Sequence, residues 1–289
     1  MKIWQSLAFV EPDQLVPLAH CAEECGFHGV LLSDHLAFPG KLASKYPYAP
    51  DGKPMFDGNM PFPDPWVAIA AMAQVTSSLR FATLVYVLPL RDPFDVAKSV
   101  GTAAILSNNR LVLGAGAGWM KEEFDAVGID FRTRGQRFDE MLEVMHKLWS
   151  GQMVEHHGKH FDFGTMQISP VPAKPVPIFV GGVSAAALRR AATLGDGWMG
   201  SGNMPEEVPQ VLARLRELRK GAGREADPFT PIVPLKAKLD RDLLRRMEEQ
   251  HGVMHTVNYP FQFALGPTST LEKKRDFLRR MADELLERA

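Results

Sequence analysis

Apolar residues in this chain fall into short runs. Each run is followed by a stretch in which apolar positions recur every three or four residues. The runs predict strands and the stretches predict amphipathic helices. Residues 2–9 (KIWQSLAF) precede a helix over 13–26. Residues 29–33 (GVLLS) precede, after a long interval, a helix over 64–77. The same order recurs with strands at 79–87, 110–118, 176–182, 197–202 and 230–239, whose helices lie at 92–107, 132–151, 184–195, 204–223 and 241–252. A weaker strand at 253–259 leads into a last helix from 268 onward. Eight strand–helix units imply a parallel sheet with helical crossovers. Eight units in 289 residues favour a closed (β/α)8 TIM barrel over an open doubly wound sheet.

Two segments interrupt this rhythm. Residues 37–64 are rich in proline, glycine and aromatics, and a loop of that length inside a compact domain predicts a lid or binding loop. Residues 151–177 contain VEHHGKHFDF, which predicts a short hairpin turning at Gly158, and end in a proline-rich stretch. No repeat beyond the strand–helix alternation and no linker divides the chain, so residues 1–289 read as one barrel domain carrying these two insertions.

Composition narrows the function classes. The formal charge is −1, from 33 basic and 34 acidic residues, which offers no electrostatic case for nucleic acid or an anionic membrane. No apolar run is long enough to span a bilayer, and the first residues read as a strand rather than a signal peptide, so a cytoplasmic protein is expected. Cys21 and Cys25 lie four apart on a predicted helix and read as reduced thiols at or near the core. The histidines show no metal-ligand spacing, so no metal is expected. His156-His157 reads as part of a solvated hairpin. No nucleophile elbow and no phosphate-binding P-loop is present.

In a barrel of this kind the active site lies at the C-terminal ends of the strands, and the unusual residues collect there. The second strand ends on Asp34-His35. His35 is the acid/base candidate, with Asp34 to orient it or to hold a cofactor hydroxyl or ring nitrogen. The fourth strand ends on Gly114, Gly116 and Gly118, which would let backbone approach a flat ligand; their spacing is not that of a dinucleotide fingerprint. Gly181, Gly182, Val183 and Ser184 end the fifth strand and open a helix. The serine is a good N-cap, and the free N–H groups of the first turn could hold a phosphate. Arg132, Arg134 and Arg137, followed by Asp139, Glu140 and Glu143, read as ion pairs on the wet face of a helix.

These motifs together resemble the luciferase-like monooxygenase superfamily. The likeness rests on RLVLGAGAGWMKEEFDAVGIDFRTRGQRFDEMLEVMHKLWSG, PVPIFVGGVSAAALRRAATLGDGWMGSG, SDH after the second strand and LVYVLPLRDPFDVAKSVGTAAILS, and it covers roughly residues 1–240. The resemblance implies a TIM-barrel oxidoreductase using reduced FMN or the deazaflavin coenzyme F420. Aspartate-histidine after the second strand is similar to the F420 branch. It further implies that Asp34 and His35 meet the cofactor ring and that Val85-Tyr86 form a bulge pressing on its back, in a region that often holds a non-prolyl cis peptide. Gly116 and Glu122 would be cofactor contacts, and Gly181 to Ser184 would hold the cofactor phosphate. Trp119 stands where sugar-phosphate dehydrogenases of the family place a glutamate acid. That departure argues for a small apolar or aromatic substrate lined by Phe38, Tyr86 and Trp119. Tyr46, Tyr48, Phe56 and Phe62 either join that pocket or pack within the loop. The expected reaction is hydride transfer between F420 and an organic molecule. The rivals are oxygenation through reduced FMN and O2, and a non-catalytic flavin-binding protein. A homodimer and a separate cofactor reductase are expected by analogy.

Overall fold

The computed structural model describes residues 1–286. The elements run, in chain order, β1 (Lys2–Ser6), α1 (Pro12–Glu24), β2 (Gly29–Leu32), α2 (Pro65–Ala73), β3 (Arg80–Thr83), β4 (Tyr86–Val87), α3 (Pro93–Leu106), β5 (Leu111–Gly116), α4 (Lys121–Ala126) and α5 (Arg134–Trp149). They continue with β6 (Val154–His157), β7 (Asp162–Met166), β8 (Ile178–Gly181), α6 (Ala185–Leu194), β9 (Gly197–Met199), α7 (Val208–Gly221), β10 (Thr230–Ile232), α8 (Arg241–His251), β11 (His255–Asn258), α9 (Gln262–Leu265) and α10 (Leu271–Leu285). Parallel pairing runs β3–β2–β1–β11–β10–β9–β8–β5, and a β3–β5 pairing closes the ring, giving the (β/α)8 barrel.

Each barrel strand contributes one side chain to a buried inner layer: Trp4, Leu31, Ala82, Val112, Phe179, Met199, Ile232 and Val257. Large rings beside a lone alanine fill the lumen without a channel. Outside the ring, the apolar stripes of the helices cover the outer faces of the strands, which is why those strands read as continuous apolar runs. Helix starts follow a repeated device. Asp64-Pro65 and Asp92-Pro93 place a capping carboxylate before a proline at the first helical position. Asp64 accepts from the N–H groups of Trp66 and Val67, and Asp92 from that of Phe94.

The third predicted strand is broken. β3 ends at Thr83, the Leu84–Val85 peptide is cis, and pairing resumes as β4, opposite Ala115 and Gly116. The cis bond thus falls one residue before the Val85-Tyr86 pair. Between the two pieces the Thr83 hydroxyl donates to Gly114 O at 2.7 Å and accepts from Gly114 N at 3.1 Å, standing in for the interrupted ladder. The second insertion forms the β6–β7 hairpin, with Gly158 N donating to Phe161 O across the turn. Its histidines divide: His157 is exposed, whereas His156 is buried between Glu140 and Lys147. Residues 37–64 contain no helix or strand. Among the described residues no helix is long and apolar enough to cross a membrane.

At the opposite, N-terminal face of the barrel, Trp4 Nε1 donates to His255 Nδ1 at 3.1 Å, and the His28 and His255 rings meet edge to face at 5.1 Å. Burial pushes His28 down to about 3, helped by His255, Lys2 and Arg80. Burial with Lys2, Arg80 and the N-terminal ammonium takes His255 to about 4. Both imidazoles are neutral in the folded chain. As pH falls below about 6.5 the unfolded chain takes up protons first, so the stability tied to these groups is present above that pH and is lost on acidification towards their folded values. The urea midpoint is expected to fall between pH 7 and 5, and His28→Gln to flatten that slope. A midpoint flat with pH in the wild type would contradict this.

Candidate active site

A cavity of about 920 Å³ lies across the C-terminal ends of the strands, under the loop 37–64. Its two ends differ in chemistry. One end holds His35 inside a set of rings. Phe56, Phe62 and Trp119 lie 4.9, 5.1 and 5.8 Å from the imidazole, centroid to centroid, and Phe9 stands edge to face with Phe62 at 5.4 Å. Tyr46, Tyr48, Phe56 and Phe62 all line the cavity, so the aromatic loop serves the pocket as well as packing on itself. Burial raises the Tyr46 phenol to about 12, keeping it neutral.

The other end carries Gly181, Gly182, Val183 and Ser184 beside Arg134 and Arg190, and Lys45 and Arg132 also line the cavity. Ser184 caps α6, its Oγ accepting from Ala187 N at 3.2 Å. Arg134 lies over the Phe131 ring at 3.8 Å and donates to the carbonyls of Gly118 and Phe131. Arg190 is held by Asp139 and the Gly135 carbonyl. A helix N-terminus with two anchored guanidinium groups fits an anion.

Val85 forms the floor between these ends. A Cβ built on Gly116 would lie 2.4 Å from Val85 Cγ2, and one built on Gly181 would lie 2.4 Å from Cγ1. The two glycines therefore make room for the valine. A Cβ on Gly118 would likewise meet Val87 at 2.7 Å. Gly116, Gly118 and Gly181 also line the cavity themselves. They seat the bulge, and the bulge faces the cavity.

Four expectations change. Asp34 does not orient His35: its Oδ1 accepts from Arg91 Nη2 at 2.7 Å and its Oδ2 from Val87 N at 2.8 Å. Burial raises this carboxyl, with Arg91 and the Val87 N–H opposing the rise. Asp34 thus braces β4 from the edge of the cavity. Tyr86 points outward, because it neighbours Val85 on an extended backbone and adjacent side chains alternate. Its ring packs on Trp66 at 4.9 Å and under the Arg91 guanidinium at 4.5 Å. Phe38 packs behind the wall, against Phe56 and Gly58, and does not line the cavity. Glu122 also lies outside it and receives the N–H groups of Ala43 and Ser44 at 2.7 and 2.9 Å. Burial works against its ionisation, but the hydrogen bonds from Ser44 and Ala43 hold it down at about 2.

The carboxylate that does meet His35 is Glu123, the next residue. Its Oε2 lies 3.0 Å from His35 Nδ1, and its Oε1 accepts from Leu36 N at 2.6 Å and Ala37 N at 3.3 Å. Successive residues on a helix point about 100° apart, so Glu122 clamps the middle of the loop while Glu123 reaches its root. Phe9 was also missed. It follows β1 with φ +64°, an uncommon conformation for a bulky residue, and lines the cavity. The first strand end was not read as part of the site, although its LAF sequence placed a ring there.

The family model for luciferase-like monooxygenases matches residues 5–285. This chain belongs to that family. An uncharacterized protein of Mycobacterium tuberculosis is 37% identical over 94% of each chain. An F420-dependent glucose-6-phosphate dehydrogenase of Nakamurella multipartita is 31% identical over 95% of this chain and 76% of that protein. Among solved structures, a monooxygenase from Streptomyces bottropensis superposes with a TM-score of 0.78 at 20% identity, over 99% of each chain.

Proposed function

We propose that this family member is an F420-dependent oxidoreductase that exchanges hydride with a small apolar or aromatic organic substrate. The observation that carries the reading is the polarity of this cavity. An anion-binding end at Ser184, Arg134 and Arg190 is joined across the Val85 floor to an aromatic box containing His35. That shape fits a cofactor with a phosphate at one end and a tricyclic ring at the other. The 31% identical F420-dependent relative favours the deazaflavin.

The cofactor, when bound, supplies the hydride acceptor or donor. Ser184 and the free N–H groups of the first turn of α6 would hold its phosphate, with Arg134 and Arg190 beside it. Val85 would support the ring, seated on Gly116 and Gly181. Asp34 and Arg91 hold β4, and with it the floor, in register. His35 takes or returns the substrate proton at Nε2, the ring nitrogen not facing Glu123. The loop 37–64 lies over the site and excludes water. Phe56, Phe62 and Trp119, the rings around His35, carry no charge to pair with a substrate phosphate, although Lys45, next to Tyr46, also lines the cavity. Trp119 and the phenylalanines instead offer apolar contact.

The test is turnover of F420, followed by its absorbance, against a panel of apolar and aromatic alcohols and carbonyl compounds with glucose 6-phosphate included. Turnover is expected with the apolar members and none with the sugar phosphate. Turnover with the sugar phosphate alone, or oxygenation with reduced FMN and no F420 turnover, would overturn the proposal.

A further inference from the structure

Two carboxylates follow one another at the start of α4, and both hold the long loop, but only one reaches the imidazole. Glu122 binds the backbone of Ala43 and Ser44. Glu123 shares its two oxygens between the root of the loop and His35. Its side chain is 2% exposed and that of His35 is 12% exposed.

We propose that Glu123 is a positioning residue that fixes His35 as the Nδ1–H tautomer, leaving Nε2 as a lone pair facing the cavity. Three observations lead there. First, Oε1 is already occupied by two N–H donors, from Leu36 and Ala37, which fixes the carboxylate plane and turns Oε2 onto Nδ1. Second, a carboxylate only accepts, so the nitrogen facing it must donate. Third, the rest of the ring's surroundings, Phe56, Phe62 and Trp119, offer aromatic faces and edges rather than competing carbonyls. Among the described residues, Glu123 is the hydrogen-bonding partner of this imidazole.

The arrangement has a second consequence. The carboxylate that selects the tautomer also pins residues 36 and 37, where the loop over the site begins. A loop detached at its root would release Oε1, free the carboxylate to rotate and loosen the hold on Nδ1. The proton-accepting form of His35 is therefore tied to the docked loop. The kinetic part of this inference rests on the hydride-transfer reading above; the tautomer does not.

The experiment is 15N NMR of the histidine side chains in the cofactor-free protein at about pH 8, with His35 assigned from the signals missing in His35→Gln. The wild type is expected to show a protonated Nδ1 and an unprotonated Nε2. Glu123→Gln is expected to reverse this. Its amide oxygen is needed by the Leu36 and Ala37 N–H groups, so its NH2 turns to His35 and makes Nδ1 an acceptor. Glu122→Gln, which touches the same loop but not the ring, should keep the wild-type tautomer. With F420 and an accepted substrate, Glu123→Gln should lower kcat by about 100-fold with KM moved only a few-fold. An Nε2–H wild type, or an unchanged tautomer in Glu123→Gln, overturns the proposal. Should Glu123→Gln not fold, the wild-type tautomer decides alone. Failure of F420 to bind would remove the hydride-transfer reading and leave the tautomer result standing, because that measurement uses the chain by itself.

Discussion

Replacing His35 by alanine is expected to lower turnover by ~10²- to 10⁴-fold, the range that a positioned acid/base group contributes, with F420 affinity changed far less. The physical ground is separation of roles. The proposed anion-binding end of the cavity, at Ser184, Arg134 and Arg190, lies on different elements from His35 and stays intact in the variant. The imidazole is held by Glu123 and ringed by aromatic side chains, so its removal leaves the box apolar but without a proton acceptor. Steady-state kinetics alongside a fluorescence titration of F420 separates the two effects. Unchanged turnover would remove His35 from the mechanism. A parallel loss of affinity would instead make it a cofactor-binding residue.

The largest expected effect on stability is that of Gly114→Ala, a loss of at least about 3 kcal/mol. A Cβ at this position would lie 1.8 Å from the backbone oxygen of Thr83 and 2.6 Å from Met199 Sδ. Methionine can move, but the Thr83 carbonyl cannot without shifting β3. Thr83 also bridges the broken strand through its hydroxyl, using both polar groups of Gly114. A methyl group here would therefore push apart the Thr83–Gly114 hydrogen bonds that bridge the Leu84–Val85 break. The floor of the cavity follows directly, since Val85 is seated between β5 and β8. Urea unfolding monitored by circular dichroism gives the number. A loss below 1 kcal/mol would show that the strand yields more easily than its geometry implies.

The barrel was legible because its signal is redundant. Eight apolar runs, each followed by an amphipathic helical stretch, all point to one architecture. The break in the third strand was legible only through resemblance, and its consequence for side-chain direction was not. Once Val85 faces the cavity, Tyr86 must face away, but local apolar pattern does not say which of two neighbouring residues points inward where the ladder is interrupted. Glu122 and Glu123 present the same difficulty on a helix, where the helix had not been anticipated. Asp34 was expected beside His35 because it is adjacent in sequence, yet extended backbone sends adjacent side chains to opposite sides. The carboxylate that meets the imidazole comes from 88 residues further along the chain. Arg134 was hidden by a charge pattern that suited surface ion pairs. In the structure it stacks on Phe131 and turns into the site, while Asp139 pairs with Arg190 of α6 instead. The aromatic loop was visible as composition, but its rings were assignable to the pocket only when the barrel ends brought Phe9 and Trp119 against them.

The central claim is that the cavity is built for a deazaflavin beside an apolar substrate. The most direct test is an equilibrium titration of the purified protein with F420 and, separately, with FMN. The account predicts that F420 binds more tightly. It also predicts that the affinity falls as salt rises, since Arg134 and Arg190, which line the cavity, would face the anion. Preference for FMN would contradict the account, move the chemistry towards oxygen and leave the His35 proton-transfer role without its partner.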